Sequence, residues 1–181
     1  AGRGAWHVTP GGLTEAHSWI AHNDGWGSFI ASEYLPGRCV TWQSVWSKGD
    51  LVCAQSRERL EWSAANRSPS GVTGITGVGR TISDPEVARV GRDCVLTLSE
   101  TPHGIFGVDM KCDAKDVPRV TEVNIGRFFT TIVFFTRLGL NMPDLYVRAA
   151  FGESVEGAGV ERDWYWIRSM DRGPVLTRGP L

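Results

Sequence analysis

The sequence predicts an α+β fold in which antiparallel sheets carry packed helices, and three observations predict it. Two stretches with strand-like alternation, Arg38 to Ser47 and Leu51 to Trp62, flank the hairpin signal Lys48-Gly49-Asp50. A second pair, Ile105 to Cys112 and Arg119 to Asn124, flanks the turn Asp113-Ala114-Lys115-Asp116-Val117-Pro118. Between the two pairs, Ser83 or Asp84 followed by Pro85 opens a stretch with helical apolar spacing at Val87, Val90, Cys94, Val95 and Leu98.

The elements follow in order. Thr14 reads as the N-cap of a short helix that Asn23-Asp24-Gly25 stops. Phe29 to Tyr34 reads as a strand broken by Leu35-Pro36-Gly37. In the strand that follows, Val40, Trp42, Ser44 and Trp46 face one way and Thr41, Gln43 and Val45 the other. Its return strand carries Arg57 and Arg59 on one side and Glu58 on the opposite side. Residues 63–83, dense in Gly, Ser and Thr, read as a long loop. Further helices are expected at Phe128 to Leu138 and Asp144 to Phe151, then a linker over Gly152 to Asp163, then one strand at Trp164 to Ile167 before a loose end. The opening Ala1-Gly2-Arg3-Gly4-Ala5 lacks an initiator Met and any element ahead of a glycine-rich stretch, so the expectation is a fold whose N-terminal part is missing.

Composition narrows the function. Lys plus Arg number 19 against 20 Asp plus Glu, so recognition of nucleic acid or an anionic membrane by bulk charge is excluded, and any anion needs a local site. The four cysteines are scattered without CxxC spacing and read as reduced thiols. The longest apolar run, Phe128 to Phe135, is too short for a bilayer span, and the start lacks a signal-peptide pattern, so a cytoplasmic location is expected. His7, His17, His22 and His103 form no ligand spacing. Eight tryptophans are many for 181 residues. Trp42 and Trp46 form either a sugar-stacking stripe or hydrophobic packing, and strand alternation favours packing.

The chemistry sits in the second hairpin. With Lys115-Asp116 at the turn centre, Asp109 stands opposite Glu122, and Asn124 lies two residues further along the same face. Opposed carboxylates repel, so a sheet that keeps them is expected to hold a cation between them; hard oxygen donors suit Mg2+ or Mn2+ bridging phosphates. The competing reading is a solvated outer face of unrelated charges.

These residues carry a resemblance. Gly107-Val108-Asp109 and Thr121-Glu122-Val123-Asn124-Ile125-Gly126-Arg127-Phe128 resemble the C-terminal metal-binding portion of ATP-grasp enzymes, especially the carbamoyl-phosphate-synthase-like group. Ser32 to Gly37 resembles the family's hinge strand, Trp42 to Arg59 the following hairpin, Thr73 to Thr81 the loop before the next helix, and Ala1 to Ala5 the glycine-rich phosphate loop. The resemblance covers the chain to about residue 151. It implies Asp109, Glu122 and Asn124 as metal ligands, backbone groups of Glu33, Tyr34 and Leu35 reading adenine, and Gly2 and Gly4 at the ATP phosphates. Arg127 then matches a phosphate or acyl-phosphate contact, and Arg57 and Arg59 add positive charge, unless they are solvent-facing arginines matched to Glu58 or Glu61. Arg80 is a weaker candidate of the same kind.

The implied organisation is a nucleotide-clamping part at 1–62, a C-terminal subdomain at 63–151 and a linker with C-terminal segment at 152–181. The implied activity is ATP- and Mg-dependent ligation of a small carboxylate to an amine through an acyl phosphate, with ATP as cofactor and the question of homo-oligomers open. A noncatalytic ATP-binding or regulatory remnant is the first alternative, and a carbohydrate-binding β-rich module the second. Three departures stand out: Arg38-Cys39-Val40 occupies the place of a ribose-holding acid, no Lys precedes Lys48, and Ile125-Gly126 separates Asn124 from Arg127.

Overall fold

The computed structural model describes residues 7–22, 29–67, 74–169 and 173–179. A seven-stranded antiparallel sheet organises them, in the order β5-β4-β1-β2-β3-β6-β7. β1 (Cys39–Ser47) turns into β2 (Asp50–Trp62) through Lys48 and Gly49, both at positive φ (52° and 97°), the two-residue connection that matches the strands' twist. β3 (Thr76–Ile82) leads to α2 (Pro85–Leu98), which follows the short α1 (Leu13–His22) in chain order. β4 (Gly104–Cys112) and β5 (Pro118–Ile125) form the second hairpin. α3 (Val133–Arg137) and α4 (Met142–Ala150) then precede β6 (Trp164–Ile167) and β7 (Val175–Arg178).

β1 is buried along nearly its whole length because both sheet faces are covered. On one face, Val40, Trp42, Trp46, Val108 and Met110 pack against Val87 and Val95 of α2. On the other, Val45, Val52 and Cys53 pack against Phe134, Phe135, Leu140 and Met142 around α3 and α4, with Trp166 of β6. A bulge between Val45 and Trp46 leaves Val52 as the extra residue on β2, which puts both Val52 and Cys53 with the second cluster. Burial raises the Cys53 thiol to about 12 and Cys112 to about 11, so neither is a ready thiolate.

α2 is started by Asp84, whose carboxylate accepts from the Glu86 and Val87 N–H groups, with Pro85 in the first turn as the sequence predicts. Arg38, on the same sheet face, bonds both Asp84 and Asp116, tying the helix cap to the β4–β5 turn.

Several expectations need correction. The segment 63–83 is not wholly loop: β3 occupies its end, because Gly77 and Gly79 alternate with Thr76, Val78 and Arg80 on a paired strand. A Cβ at Gly77 would lie 3.0 Å from the Ser63 nitrogen, so the glycine marks close backbone approach rather than a break. Residues 29–36 form no strand; they run exposed or half-buried ahead of β1 and lack a ladder. The helix expected from Phe128 shrinks to Val133–Arg137, because the Phe129 N–H is given to the Gln43 side chain instead of to a helical turn. The expected linker packs on the sheet: Gly157 donates to the Val52 carbonyl, and a Cβ there would meet Leu145, Cys53 and Leu140 within 2.6–2.8 Å. The expected loose end contains β7. Trp42 and Trp46, both 2% exposed beneath α2, form no sugar-stacking platform.

Gly91 of α2 lies on Trp42, where an added Cβ would sit 2.7–2.8 Å from the ring and Cβ. Gly91→Ala in a helix interior ordinarily gains about 0.5–1 kcal/mol. Here the rigid ring cannot give way, and the substitution is expected to lower unfolding stability by about 1–3 kcal/mol, read as the urea midpoint at unchanged slope. A raised midpoint would show that the helix lies further from the sheet.

Candidate functional site

The face opposite α2 collects the polar residues of four adjacent strands. Register places Thr41 between Arg57 of β2 and Asp109 of β4, and Gln43 beside Gly107, which in turn faces Asn124 of β5. Asp109 pairs with Glu122 as the sequence predicts, although the turn is centred on Lys115 rather than between Lys115 and Asp116. A register shift between Asp109 and Met110 leaves Thr121 as the extra residue on β5 and restores the alignment. The Thr121 hydroxyl donates to the Asp109 carbonyl at this bulge (3.1 Å).

Around Asp109 the side chains converge. The Thr41 hydroxyl donates to Asp109 Oδ1 (2.5 Å) and the Asn124 amide to Oδ2 (3.3 Å), while the Arg59 guanidinium stands 3.8 Å from Oδ1. Arg127 grips Asn124 Oδ1 through Nε and Nη2 and lies 3.8 Å from Glu122. Asp109, Arg57, Arg59, Asn124 and Arg127 line one cleft of about 120 Å³ with Thr41, Gln43, Gly107 and residues 128–130. Glu122 does not line the cleft; its side chain is 62% exposed and stands 3.8 Å from the cleft residue Arg127.

Arg57 and Arg59 are not surface arginines matched to Glu58 or Glu61. Arg57 is 2% exposed, donates to the Thr131 hydroxyl and stacks on the Phe129 ring (3.9 Å). Its Nε is buried without a partner, and among the described residues no carboxylate lies within ion-pair distance of it. Burial first, and then the charge of Arg59, pull it down to about 9 against the attraction of Asp109, so it remains a cation at neutral pH. Arg59 bonds the Thr76 hydroxyl (3.0 Å) and covers Trp62. Glu58 lies on the α2 face, where it pairs with Arg80; that removes Arg80 from the candidates.

Two residues missed in the sequence hold the loop that carries Arg127. Gln43, 0% exposed, donates to the Phe106 carbonyl (2.9 Å) and accepts from the Phe129 N–H (3.1 Å). Arg168, just beyond β6, donates to the Thr130 carbonyl (3.2 Å). Gln43 was visible as a polar residue beside Trp42 on a strand expected to pack; Arg168 had no local signal, since its place depends on β3–β6 pairing. Glu33 and Tyr34 are exposed and Leu35 half-buried ahead of β1, and none of the three lines the cleft. Gly2 and Gly4 lie outside the described residues.

The carboxylates of Asp109 and Glu122 fit a hard cation, flanked by cations that would neutralise phosphate oxygens, while the Asn124 oxygen is engaged by Arg127. Among the described residues no three His, Cys, Asp or Glu side chains gather at one point, so carboxylate is supplied by Asp109 and Glu122 alone. A larger groove of about 880 Å³ beside α2 lacks such convergence; its Arg89 is already paired with Glu86 and Asp93. Among the described residues no helix is long and apolar enough to cross a membrane.

The unpaired Arg57 gives a test of the site's character. Arg57→Met keeps the bulk and the contact with Phe129 but leaves the Thr131 hydroxyl without its partner, a loss of about 1 kcal/mol. The expected change in unfolding stability by urea titration is therefore within about 1 kcal/mol. A loss of about 3–5 kcal/mol would show that Arg57 belongs to a buried ion pair.

No protein-family model and no curated protein sequence matches the chain. Solved structures do. A putative ATP-grasp superfamily protein from Archaeoglobus fulgidus is 21% identical with a TM-score of 0.50, over 76% of this chain and 40% of that one. Biotin carboxylase from Campylobacter jejuni, in complex with β,γ-ATP, is 14% identical with a TM-score of 0.62, over 92% and 38%. The biotin carboxylase domain of Hydrogenobacter thermophilus 2-oxoglutarate carboxylase, in complex with MgADP, ADP and bicarbonate, is 15% identical with a TM-score of 0.64, over 92% and 38%. The chain thus spans about two fifths of the structures it matches. Its α+β architecture, an antiparallel sheet with packed helices, is that of an ATP-grasp fold.

Proposed function

We propose that the cleft binds the phosphates of ATP with Mg2+ or Mn2+ and that the protein to which this chain belongs is an ATP-dependent ligase of the carboxylate–amine type, working through an acyl phosphate. The observation that carries this reading is the convergence of Asp109, Glu122 and Asn124 on one sheet face beside Arg57, Arg59 and Arg127. The neighbouring biotin carboxylase domain with MgADP and bicarbonate supports a small carboxylate as acyl substrate. The order of acid, Glu-x-Asn and Arg supports the carbamoyl-phosphate-synthase-like group. In this reading 1–62 contributes to the nucleotide clamp, with Gly2 and Gly4 at the phosphates and the backbone of Glu33 to Leu35 at adenine, while 63–151 supplies the metal-binding hairpin.

Asp109, Glu122 and Asn124 would hold the metal, which would supply charge neutralisation on the phosphoryl oxygens. Thr41 holds Asp109 in place through a hydroxyl bond, so its carboxylate is preset. Asn124 gives its NH2 to Asp109 and its oxygen to Arg127, so it would have to release Arg127 before that oxygen could meet the metal. Arg57, beneath the loop and without a carboxylate partner, would contribute positive charge from the cleft floor, and Arg59 adds charge at the cleft wall. Gln43 and Arg168 fix the loop of residues 127–130, which sets where Arg127 stands.

One observation favours a second reading, binding without turnover. Arg38, where a ribose-holding acid stands in the family, is committed to Asp84 and Asp116, and no lysine lines the cleft. Carboxylate-dependent phosphate release from ATP separates the two readings: release supports ligation, and binding without release supports the remnant.

Glu122→Gln tests the shared claim. Its side chain is 62% exposed and its removal relieves a repulsion with Asp109, so folding should be unchanged. Affinity for MgATP, measured by calorimetry, is expected to fall by about tenfold or more. Unchanged affinity with an intact fold would contradict the assignment of Glu122.

A further inference from the structure

At the far end of the same sheet face a thiol and a primary amine lie side by side. Cys39 of β1 stands opposite Lys111 of β4 in register, and Lys111 Nζ lies 3.4 Å from Cys39 Sγ. The amine is held there by a second bond, to the Gly37 carbonyl (2.9 Å). A Cβ at Gly37 would lie 2.7 Å from the Cys112 carbonyl oxygen, and the Gly37 N–H donates to that oxygen, so the carbonyl that positions Lys111 is itself fixed. Cys39 is half-buried, open to a small oxidant, unlike the buried Cys53 and Cys112.

We infer that Cys39 and Lys111 form an oxidation-driven sulfur–nitrogen crosslink with peroxide as the oxidant. The Cys39 thiolate attacks one peroxide oxygen; the O–O bond breaks, the sulfur is oxidised to sulfenic acid and water leaves. The Lys111 amine, after giving up its ammonium proton, then attacks the sulfenyl sulfur. An S–N bond forms, the S–O bond breaks, and the departing hydroxyl takes a proton to leave as a second water. One peroxide, one thiol and one amine give one sulfenamide and two waters. A separation of 3.4 Å is within the range of a near-attack arrangement, so neither strand has to move far. The product joins β1 to β4 and removes one positive charge from the face that carries Asp109. This inference stands whether or not the cleft binds ATP, since it uses residues 37, 39, 111 and 112, none of which lines the cleft.

The test is hydrogen peroxide treatment of the protein, followed by peptide mapping and by dimedone, which traps sulfenic acid. The expected product is a peptide pair joined between Cys39 and Lys111, two hydrogens lighter than the sum of its parts and released by dithiothreitol. In Lys111→Arg, which keeps the charge but not the nucleophile, the joined pair should vanish and dimedone labelling of Cys39 should rise several-fold. Half-buried Cys94 of α2 is the internal comparison. Equal dimedone labelling of Cys39 in both proteins with no joined pair, or oxidation of Cys94 with none at Cys39, would overturn the inference.

Discussion

Everything at the site depends on two carboxylates being held opposite each other. Asp109 and Glu122 face across the β4–β5 ladder, an arrangement that repels in an isolated hairpin. The fold offsets this with cations: Arg59 stands beside Asp109, and Arg127 beside Glu122. Both ion pairs are long, at 3.8 Å, so the carboxylates keep open lone pairs instead of being consumed in tight bridges. A site whose charges nearly balance while neither carboxylate is locked in a tight salt bridge is suited to a further cation that brings its own anion.

The two faces of the sheet divide the labour. One is sealed by α2 and the tryptophans of β1, and the other is apolar only at the end covered by α3 and α4. The polar end of that second face becomes the cleft because the covering chain, residues 126–132, stops short of helix and is held by side chains. Gln43 and Arg57 do this from beneath, both buried, one fully paired and one with a nitrogen left over. The same constraint explains why the aromatic run does not become a long helix: an early turn is diverted to bond the sheet.

Sequence pattern revealed what local rules govern. Strand alternation placed Thr41 and Gln43 on one side of β1 and the arginine pair on one side of β2, Asp84 with Pro85 marked the helix start, and hairpin symmetry paired Asp109 with Glu122. That last success had a hidden component, since the turn centre lies elsewhere and the Thr121 bulge compensates. What failed was non-local. β3 and β7 are strands because neighbours offer them ladders; the glycines of β3 and the shortness of β7 conceal this. The segment before β1 has strand-forming residues but no ladder partner among the described residues. Arg168 enters the site neighbourhood through pairing of strands distant in sequence. The ATP-grasp architecture could be read from the order of motifs, whereas the buried, unpaired state of Arg57 could be seen only in three dimensions.

The most direct test of the central claim is proton–nitrogen NMR during titration with ATP and a trace of Mn2+, whose unpaired electrons broaden nearby amides. If the opposed carboxylates hold the metal, signals of Gly107, Asp109, Glu122 and Asn124 broaden first, while those of Val87 and Val95 under α2 remain sharp. Broadening centred on α2 and its groove, or none that requires the nucleotide, would contradict the account.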